Sequence, residues 1–242
     1  MQIQIIFRPA SPLLIPYNYN YQLQSALYAL LGEVGESDFW HDKGFRFYDS
    51  SFKGFCFGKL EGKYRSYPEE KKICFEDNVY LEVRSPSFDF IDALQRALEH
   101  HPYIRLFDTR LDVAGASLMN RHLDQERLLV QAVTPMIIHT TMEDGHTVYY
   151  SPEDENYFAR ICRNTERKYT AITGEQAGNI SLVPRGSFKK TVTRYKNLYL
   201  TGYTGTMELR TSIKTAEFIY NTGLGEKNAQ GFGFIQIKGD QL

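Results

Sequence analysis

The sequence has little of what marks a secreted, zinc-binding or membrane protein. Its three cysteines, Cys56, Cys74 and Cys162, are odd in number and far apart, which excludes the usual zinc spacings and a disulfide framework. It has no apolar run of membrane-spanning length, and its first residues lack the pattern of a signal peptide. We therefore expect free thiols, a cytoplasmic location and no membrane association.

The chain also has no excess of positive charge. It has 28 Lys and Arg residues and 29 Asp and Glu residues, and its formal net charge is −1. This balance counts against nucleic-acid binding, which depends on neutralised phosphates. The distribution is uneven, however, since residues 176–207, called the basic segment below, contain no acidic residue. Its main cations alternate with aromatic residues and are Arg185, Lys189, Lys190, Arg194 and Lys196. This pattern favours phosphate contacts and base stacking, the alternative being solvated charges on a sheet face.

Apolar periodicity in the first 120 residues predicts the order strand, helix, strand, strand, helix, strand. Amphipathic helices are expected at 20–34 and 87–99. Strands are expected at 2–7, 52–60 and 79–84, with a strand or ribbon at 103–118. This is the βαββαβ order of a ferredoxin-like fold.

A polar linker is predicted at 120–126, and the pattern then begins again. The expected elements are a strand at 128–140, a hairpin turn at 144–145, a helix at 152–170, two ribbon strands within 180–209, a short helix at 212–222 and a strand at 232–237. The sequence therefore predicts an α+β chain with an N-terminal domain over 1–120 and a C-terminal domain over 126–242.

The most informative segment reads GLGEKNAQGFGFIQI and begins at Gly223. Its glycines permit positive φ and close approach to a ligand, and free N–H groups beside a lysine suit a phosphate oxygen. The order helix, loop, strand is the reverse of that in a P-loop or dinucleotide-binding fingerprint. A helix cap at Gly223 followed by a tight turn is the alternative. The candidate contact residues are Gly223, Gly225, Lys227, Asn228, Gly231 and Gly233.

This segment resembles the C-terminal glycine-rich signature of the CRISPR repeat-processing endoribonucleases, the Cas protein six family of the RAMP superfamily. The shared elements are the Gly-apolar-Gly start, the charged middle, and Gly-Phe-Gly before a strand. The resemblance implies two tandem ferredoxin-like (RRM-like) domains, a CRISPR repeat RNA (precursor crRNA) as substrate, and neither cofactor nor metal. Other CRISPR effector subunits and a second copy of the chain are further candidate partners.

The same resemblance implies three catalytic residues. His41 matches the family's catalytic histidine, although Trp40 stands where a smaller aliphatic residue is usual. Tyr28 matches the catalytic tyrosine, and helical geometry places it away from the leucine stripe of its helix. Lys53 is the first choice for stabilising the phosphate charge and Arg46 the second. The alternatives are a solvent-exposed histidine, a tyrosine packed between domains and solvated surface cations.

The implied reaction is a metal-independent transesterification through the neighbouring 2′-hydroxyl, leaving a 2′,3′-cyclic phosphate and a 5′-hydroxyl. The basic segment, extended by Arg163 and Lys168, would hold the RNA. A non-catalytic RNA-binding subunit of an effector complex is the alternative function, and an unrelated small-molecule binder is the third. A metal site at His139 and His146, with Asp144 at the turn between them, would need at least a third ligand and a pocket.

Overall fold

The structure, a computed structural model, describes residues 1–239. Residues 240–242, the end of the predicted C-terminal domain, lie outside the described residues. In the described part of the chain, no helix combines the length and the apolar character needed to cross a bilayer.

The first half of the chain contains two α-helices among ten strands. In chain order they are β1 (Gln2–Pro9), β2 (Leu13–Pro16), α1 (Asn20–Glu33), β3 (Phe45–Phe47), β4 (Ser50–Phe52), β5 (Cys56–Phe57), β6 (Tyr64–Tyr67), β7 (Lys72–Phe75), β8 (Val79–Arg84), α2 (Phe88–His100), β9 (Tyr103–Leu106) and β10 (Thr109–Met119).

The main sheet of this half is antiparallel, with the strand order β5-β8-β1-β10-β9. Alternate residues of β1 are buried because one face of the sheet is covered by the two helices. Ile3 and Ile5 of β1 join Leu23 and Leu27 of α1 and Leu94 of α2 in one hydrophobic core. The predicted amphipathic helices are therefore confirmed, and Ser87 caps the N-terminus of α2, since its hydroxyl accepts a hydrogen bond from the backbone N–H of Phe90.

The prediction of one strand at 52–60 is wrong. Pairing stops after Phe52 and resumes only at β5, because Gly54 takes a positive φ of 69° against the ring of Phe45. The ribbon expected at 103–118 is the hairpin of β9 and β10. Two small sheets, β2-β7-β6 and β3-β4, were not predicted.

The second half of the chain contains two α-helices and seven strands in the described residues. In chain order they are β11 (Arg127–Met136), β12 (His139–Thr141), β13 (Thr147–Tyr149), α3 (Tyr157–Thr173), β14 (Ser181–Pro184), β15 (Lys189–Tyr195), β16 (Leu198–Arg210), α4 (Ile213–Thr222) and β17 (Ile235–Ile237).

The sheet of this half has the order β14-β16-β11-β17, and β15 pairs with the first part of β16. Val130, Met207 and Ile235 from three of its strands pack with Ile161 of α3 and Ile219 of α4 in a second core. The predicted hairpin turn at 144–145 and the short helix capped by Ser212 are confirmed. The prediction of two strands within 180–209 is wrong, because breaks after Pro184 and Tyr195 divide this segment into three.

Arg84, at the end of β8, joins the two halves although it is only 1% exposed. Its guanidinium donates hydrogen bonds to the carbonyls of Tyr220 (3.2 Å) and Ile235 (2.8 Å) and forms an ion pair with Glu82 at 2.6 Å. It also lies over the rings of Tyr220 and Phe234, with its central carbon 3.7 and 3.9 Å from their centroids. A buried arginine can keep its charge here because carbonyls, a carboxylate and aromatic faces all surround it.

Candidate functional site

A cleft of about 510 Å³ lies where the two halves meet. Tyr28, His41 and Lys53 line it from the first half, and Lys227 and Asn228 of the glycine-rich segment line it from the second. The three implied catalytic residues come from a helix, a turn and a loop, yet the fold brings them to one cavity. The cavity is the candidate site.

His41 lies on a single π-helical turn, Phe39–Lys43, which directly precedes β3. The turn is anchored by Trp40, which is buried and packs edge-on against Phe90 of α2 with ring centroids 5.0 Å apart. The turn ends at Gly44, where φ is 62° and a Cβ atom would come within 2.5 Å of the carbonyl oxygen of Phe52. Trp40, which stands where a smaller aliphatic residue is usual in the family pattern, thus has a structural role. Its indole fixes the turn while the neighbouring His41 faces outward.

The His41 ring is held from two sides although its side chain is 60% exposed. Its Nδ1 lies 2.6 Å from Oδ1 of Asp42, and its ring packs edge-on against Tyr28 with centroids 4.9 Å apart. Because an ionised carboxylate only accepts hydrogen bonds, Nδ1 carries a proton and Nε2 is left to exchange one. The geometry suits a proton-transfer group.

Tyr28 is half-buried between α1 and the cleft, and burial raises the pKa of its hydroxyl above the ordinary value of 10.0. The phenol therefore stays protonated and acts as a hydrogen-bond donor. One helical turn earlier, Gln24 accepts a hydrogen bond from the hydroxyl of Tyr195 and donates one to the carbonyl of Ala229 at 2.8 Å. Gln24 was not predicted, although its i, i+4 spacing from Tyr28 puts both on one helix face.

Lys53 reaches the turn that carries His41, where its Nζ donates to the carbonyl of Asp42 at 3.1 Å. Its pKa is lowered mainly by burial, with Asp42 raising it and Arg46 lowering it. Arg46 is exposed on β3 and is not among the described residues that line the cleft. The structure therefore brings Lys53 to the cleft and leaves Arg46 beside it.

The four glycines of the glycine-rich segment make close approaches, but within the protein. Each has a positive φ of 68–82°. A Cβ at Gly223 would lie 2.7 Å from the carbonyl oxygen of Gly233, one at Gly225 would lie 2.6 Å from that of Ile137, and one at Gly231 would meet the Phe57 ring at 2.6 Å. Each of these close approaches gives its glycine a packing reason, and contact of the segment with a ligand stays a prediction.

Asn228 organises this segment from inside. Its Oδ1 accepts a hydrogen bond from Lys168 at 2.7 Å, and its Nδ2 donates to the carbonyls of Leu224 and Phe232 at 3.1 and 3.0 Å. Lys168 is buried rather than part of an exposed track, and burial lowers its pKa to about 7. The Asn228 side chain thus supports the loop, whereas the partly exposed Lys227 next to it faces the cleft.

The basic segment forms β15 and its flanks, and its five cations are exposed. Lys196 lines the cleft, and its Nζ lies 4.6 Å from the centroid of the Tyr21 ring. Arg185 is paired instead with Glu208, which Arg127 and Arg210 also contact, and their hydrogen bonds lower the pKa of Glu208 to about 2. The candidate cations therefore occupy different places on one sheet.

The His139 imidazole contacts the Glu226 carboxylate on the cleft wall, a contact that sequence reasoning missed. The two side chains meet because the backbone of Glu226 forms an isolated antiparallel β-bridge with Ile137, two residues before His139. The His139 ring also stacks on the ring of Tyr149. In residues 1–239, no group of three or more His, Cys, Asp or Glu side chains could hold a metal ion. His139 faces Glu226, and His146 lies exposed at the tip of the β12–β13 hairpin.

Comparison with solved structures identifies the class of fold. The chain superposes on a structure from a Cas6-related gene of Pyrococcus furiosus with a TM-score of 0.86 and 21% identity, covering 100% of this chain and 99% of that one. It superposes on a RAMP protein that binds different RNA substrates with a TM-score of 0.85 and 20% identity, covering 98% and 99%. The mixed α/β fold is therefore the RAMP-like fold of Cas6 proteins.

The sequence comparisons narrow this class to one family. Residues 14–117 match the model of the N-terminal part of CRISPR-associated protein Cas6, and residues 118–237 match that of its C-terminal part. The CRISPR-associated endoribonuclease Cas6 1 of Methanocaldococcus jannaschii is 24% identical over 239 residues, which are 97% of this chain and 92% of that protein. The chain belongs to the Cas6 family of CRISPR-associated proteins.

Proposed function

We propose that this protein is an endoribonuclease that cleaves CRISPR precursor RNA within its repeats, without a metal, through attack by a 2′-hydroxyl. The observation that carries the proposal is the meeting of His41, Tyr28 and Lys53 in one cleft beside the glycine-rich segment. Family membership and the endoribonuclease name of the M. jannaschii relative support it. A cytoplasmic location belongs to the same proposal.

We interpret the two halves as tandem ferredoxin-like domains, over residues 1–120 and from residue 126 onward. The strand orders β10-β1-β8-β5 and β17-β11-β16-β14 support this, since each half places its last strand beside its first. In each half a helix follows the first and the third of these strands along the chain, as in the βαββαβ unit. The cleft then lies between two domains, a common place for a binding site.

In the proposed reaction the 2′-oxygen forms a bond to the adjacent phosphorus while the bond from phosphorus to the 5′-oxygen breaks. His41 performs a proton transfer, because its Nε2 can accept the 2′-hydroxyl proton or, once protonated, give one to the leaving 5′-oxygen. The products are a 2′,3′-cyclic phosphate and a 5′-hydroxyl. Asp42 orients the imidazole through Nδ1 and stabilises its protonated form.

Tyr28 and Lys53 act on the phosphate in this mechanism. The protonated phenol of Tyr28 donates a hydrogen bond that helps to place the ribose or the phosphate in line. The Lys53 ammonium neutralises the charge that develops on the pentavalent phosphorus, and Arg46 beside it strengthens the positive field. The basic segment and Lys227 contribute phosphate contacts along the RNA.

The test is cleavage of the cognate repeat RNA in EDTA under single-turnover conditions. We expect wild type to cut once per repeat. We expect His41→Ala to bind the RNA but to cut it about 100- to 10,000-fold more slowly, the loss typical of a missing general acid or base. His100→Ala, at the exposed end of α2, is the matched control and should cut at the wild-type rate.

Two results would replace the proposal. A wild type that binds repeat RNA tightly but leaves it intact would make the chain a non-catalytic RNA-binding subunit of an effector complex. A wild type that does not bind the RNA at all would remove the RNA function altogether. Association with other effector subunits or with a second copy stays a prediction.

A further inference from the structure

Gln24 lies on the wall of the candidate site, one helical turn before Tyr28, and is half-buried there. Its side-chain amide has one carbonyl oxygen and two N–H groups. The oxygen accepts a hydrogen bond from the Tyr195 hydroxyl, and one N–H donates to the carbonyl of Ala229 at 2.8 Å. These two contacts leave the second N–H for another partner.

The orientation of this amide is fixed by its two partners in the second half of the chain. The Ala229 carbonyl can only accept a hydrogen bond, so the Gln24 atom that faces it is nitrogen. Burial raises the pKa of the Tyr195 hydroxyl above its ordinary value of 10.0, so this group stays protonated and donates to the amide oxygen. An amide turned over would set two carbonyl oxygens against each other.

Tyr28 is the partner of the second N–H. Burial has the largest effect on the pKa of the Tyr28 hydroxyl and raises it, and a hydrogen bond with the Gln24 side chain acts in the opposite direction. A hydrogen bond lowers the pKa of a phenol when it is donated to the oxygen, because it then stabilises the charged form. The i, i+4 spacing of the two residues on α1 brings their side chains together.

The contact decides where the Tyr28 proton points. A phenol O–H rotates about its C–O bond, and its oxygen both donates and accepts. When the oxygen accepts a hydrogen bond from Gln24, the proton is turned away from Gln24 and is left to donate to another group. Fixing this direction before RNA binds removes an ordering cost from the reaction.

We propose that Gln24 is a positioning residue that acts through Tyr28, since its N–H holds the phenol oxygen so that the phenol proton is directed at the RNA in the cleft. The inference rests on the proposed function, because it takes Tyr28 as a donor to the ribose or the phosphate. The same amide is held by Ala229 of the glycine-rich segment and by Tyr195 of β15. The direction of the phenol proton therefore depends on the contact between the two halves of the chain.

The test is a double-mutant cycle on the single-turnover cleavage of cognate repeat RNA in EDTA at saturating protein. We expect Tyr28→Phe to cut about 100-fold more slowly than wild type, the effect of one lost donor to a developing charge. We expect Gln24→Met, which keeps the length of the side chain but has no N–H, to cut about tenfold more slowly. The protein with both changes should cut no more slowly than Tyr28→Phe, because no phenol proton remains to be directed.

The measured quantity is the factor by which the Tyr28 hydroxyl speeds cleavage, which should be about 100-fold with Gln24 and about tenfold without it. The half-saturating protein concentration of Gln24→Met should match that of wild type, because the change removes no positive charge. Gln24→Glu is the second variant, since its carboxylate keeps an acceptor for Tyr195 and has no N–H for Tyr28. Its charge acts on the proteins with and without the hydroxyl alike, so the factor of about tenfold is expected there too.

Asn20→Ala is the matched control. Asn20 also ties α1 to the glycine-rich segment, through the carbonyl of Gln230 at 2.9 Å, but it lies about two helical turns before Tyr28. In this background the Tyr28 hydroxyl should keep its factor of about 100-fold, because the two sites are independent.

A factor of about 100-fold in the Gln24 variants as well would overturn the inference and make Gln24 a structural tie, while leaving the proposed function intact. A Tyr28→Phe protein that cuts at the wild-type rate would overturn the inference together with the role of Tyr28. A wild type that leaves the repeat RNA intact would overturn both the inference and the proposed function.

Discussion

His41 shows how much orientation an exposed side chain can receive from its neighbours. Asp42 is hydrogen-bonded to Nδ1 of the His41 ring, and the Tyr28 ring packs edge-on against the same ring. The buried Trp40 fixes the backbone from which the His41 side chain projects. An isolated surface histidine would lose rotamer freedom on binding RNA, whereas this one is ordered beforehand. Pre-organisation is what makes a single histidine effective in the proposed mechanism.

The residue-scale prediction concerns His139 and Glu226. Glu226 is acidic and lines a cleft proposed to receive phosphates, so its charge must be balanced, and His139 is its partner. We expect His139→Ala to weaken binding of uncleavable repeat RNA about tenfold, because an unbalanced carboxylate repels phosphate. Adding Glu226→Gln should restore the affinity.

His146→Ala on the same hairpin is the matched control and should bind like wild type. Affinity would be measured by fluorescence anisotropy at fixed pH and salt. If His139→Ala binds as wild type does, or if the double variant stays as weak as the single one, the charge-balancing role of His139 is wrong.

At the scale of elements, the glycine-rich segment is a folded unit supported by one buried lysine. The Lys168 ammonium donates to the carbonyl of Gly223 and to Asn228, both at 2.7 Å, and Asn228 in turn holds two further carbonyls of the segment. Asn20 and Gln24 of α1 bind the carbonyls of Gln230 and Ala229 from the other half. The position of Lys227 in the cleft therefore depends on side chains from both halves of the chain.

Lys168 makes the stability of this unit depend on pH. The unfolded chain keeps the Lys168 proton up to about its ordinary pKa of 10.5, whereas the folded chain releases it above about 7. Between these values unfolding takes up a proton, so the free energy of unfolding rises with pH. Above pH 7 we expect the free energy of unfolding of wild type to rise by up to about 1.4 kcal/mol per pH unit relative to that of Lys168→Met. Below pH 7 we expect no change in this difference.

Urea denaturation of both proteins from pH 6 to 8.5 measures this difference. At pH 7 the Lys168→Met protein should also be less stable by about 1–3 kcal/mol, because Asn228 and the Gly223 carbonyl lose a buried donor. Lys63→Met, on the exposed surface, is the control and should show neither effect. A difference between wild type and Lys168→Met that does not change with pH would contradict the lowered pKa.

At the scale of the whole molecule, buried polar contacts at β8, α4 and β17 join the two halves. Arg84 provides the centre of this junction, and the hydroxyl of Tyr220 donates to Gln2 at 3.0 Å beside it. The cleft exists because the halves meet in one fixed arrangement. Loss of that arrangement would separate Tyr28 and His41 from the glycine-rich segment.

We expect Arg84→Ala to lower the free energy of unfolding by about 3–5 kcal/mol, since it removes one member of a buried ion pair and leaves carbonyls without a donor. Cleavage should fall with stability because the cleft opens. Arg96→Ala removes partly exposed surface ion pairs with Asp92 and Glu36 and should cost less than about 0.5 kcal/mol. Urea denaturation measures the free energy of unfolding of both variants. If that of Arg84→Ala lies within about 1 kcal/mol of the wild-type value, other contacts hold the two halves together.

Elements with a strong apolar period could be predicted, and elements that depend on distant contacts could not. The stripe of α1 and the Ser87 cap of α2 are local signals, and the structure has both helices. The small sheets β2-β7-β6 and β3-β4 have no such signal, because their strands are short and β6 is exposed along its whole length. The break at Gly54 depends on the Phe45 ring, which no local pattern reveals.

By itself the sequence determined the helices and the order of the main strands, because these depend on spacing along the chain. The resemblance of its segments to a family pattern gave His41, Tyr28 and Lys53 as candidates. Only the tertiary structure decided that these three share one cleft, that Lys168 and Asn228 hold the glycine-rich segment from within, and that Glu226 has His139 as its partner. The physical reason is that burial and ion pairing depend on which residues meet in space.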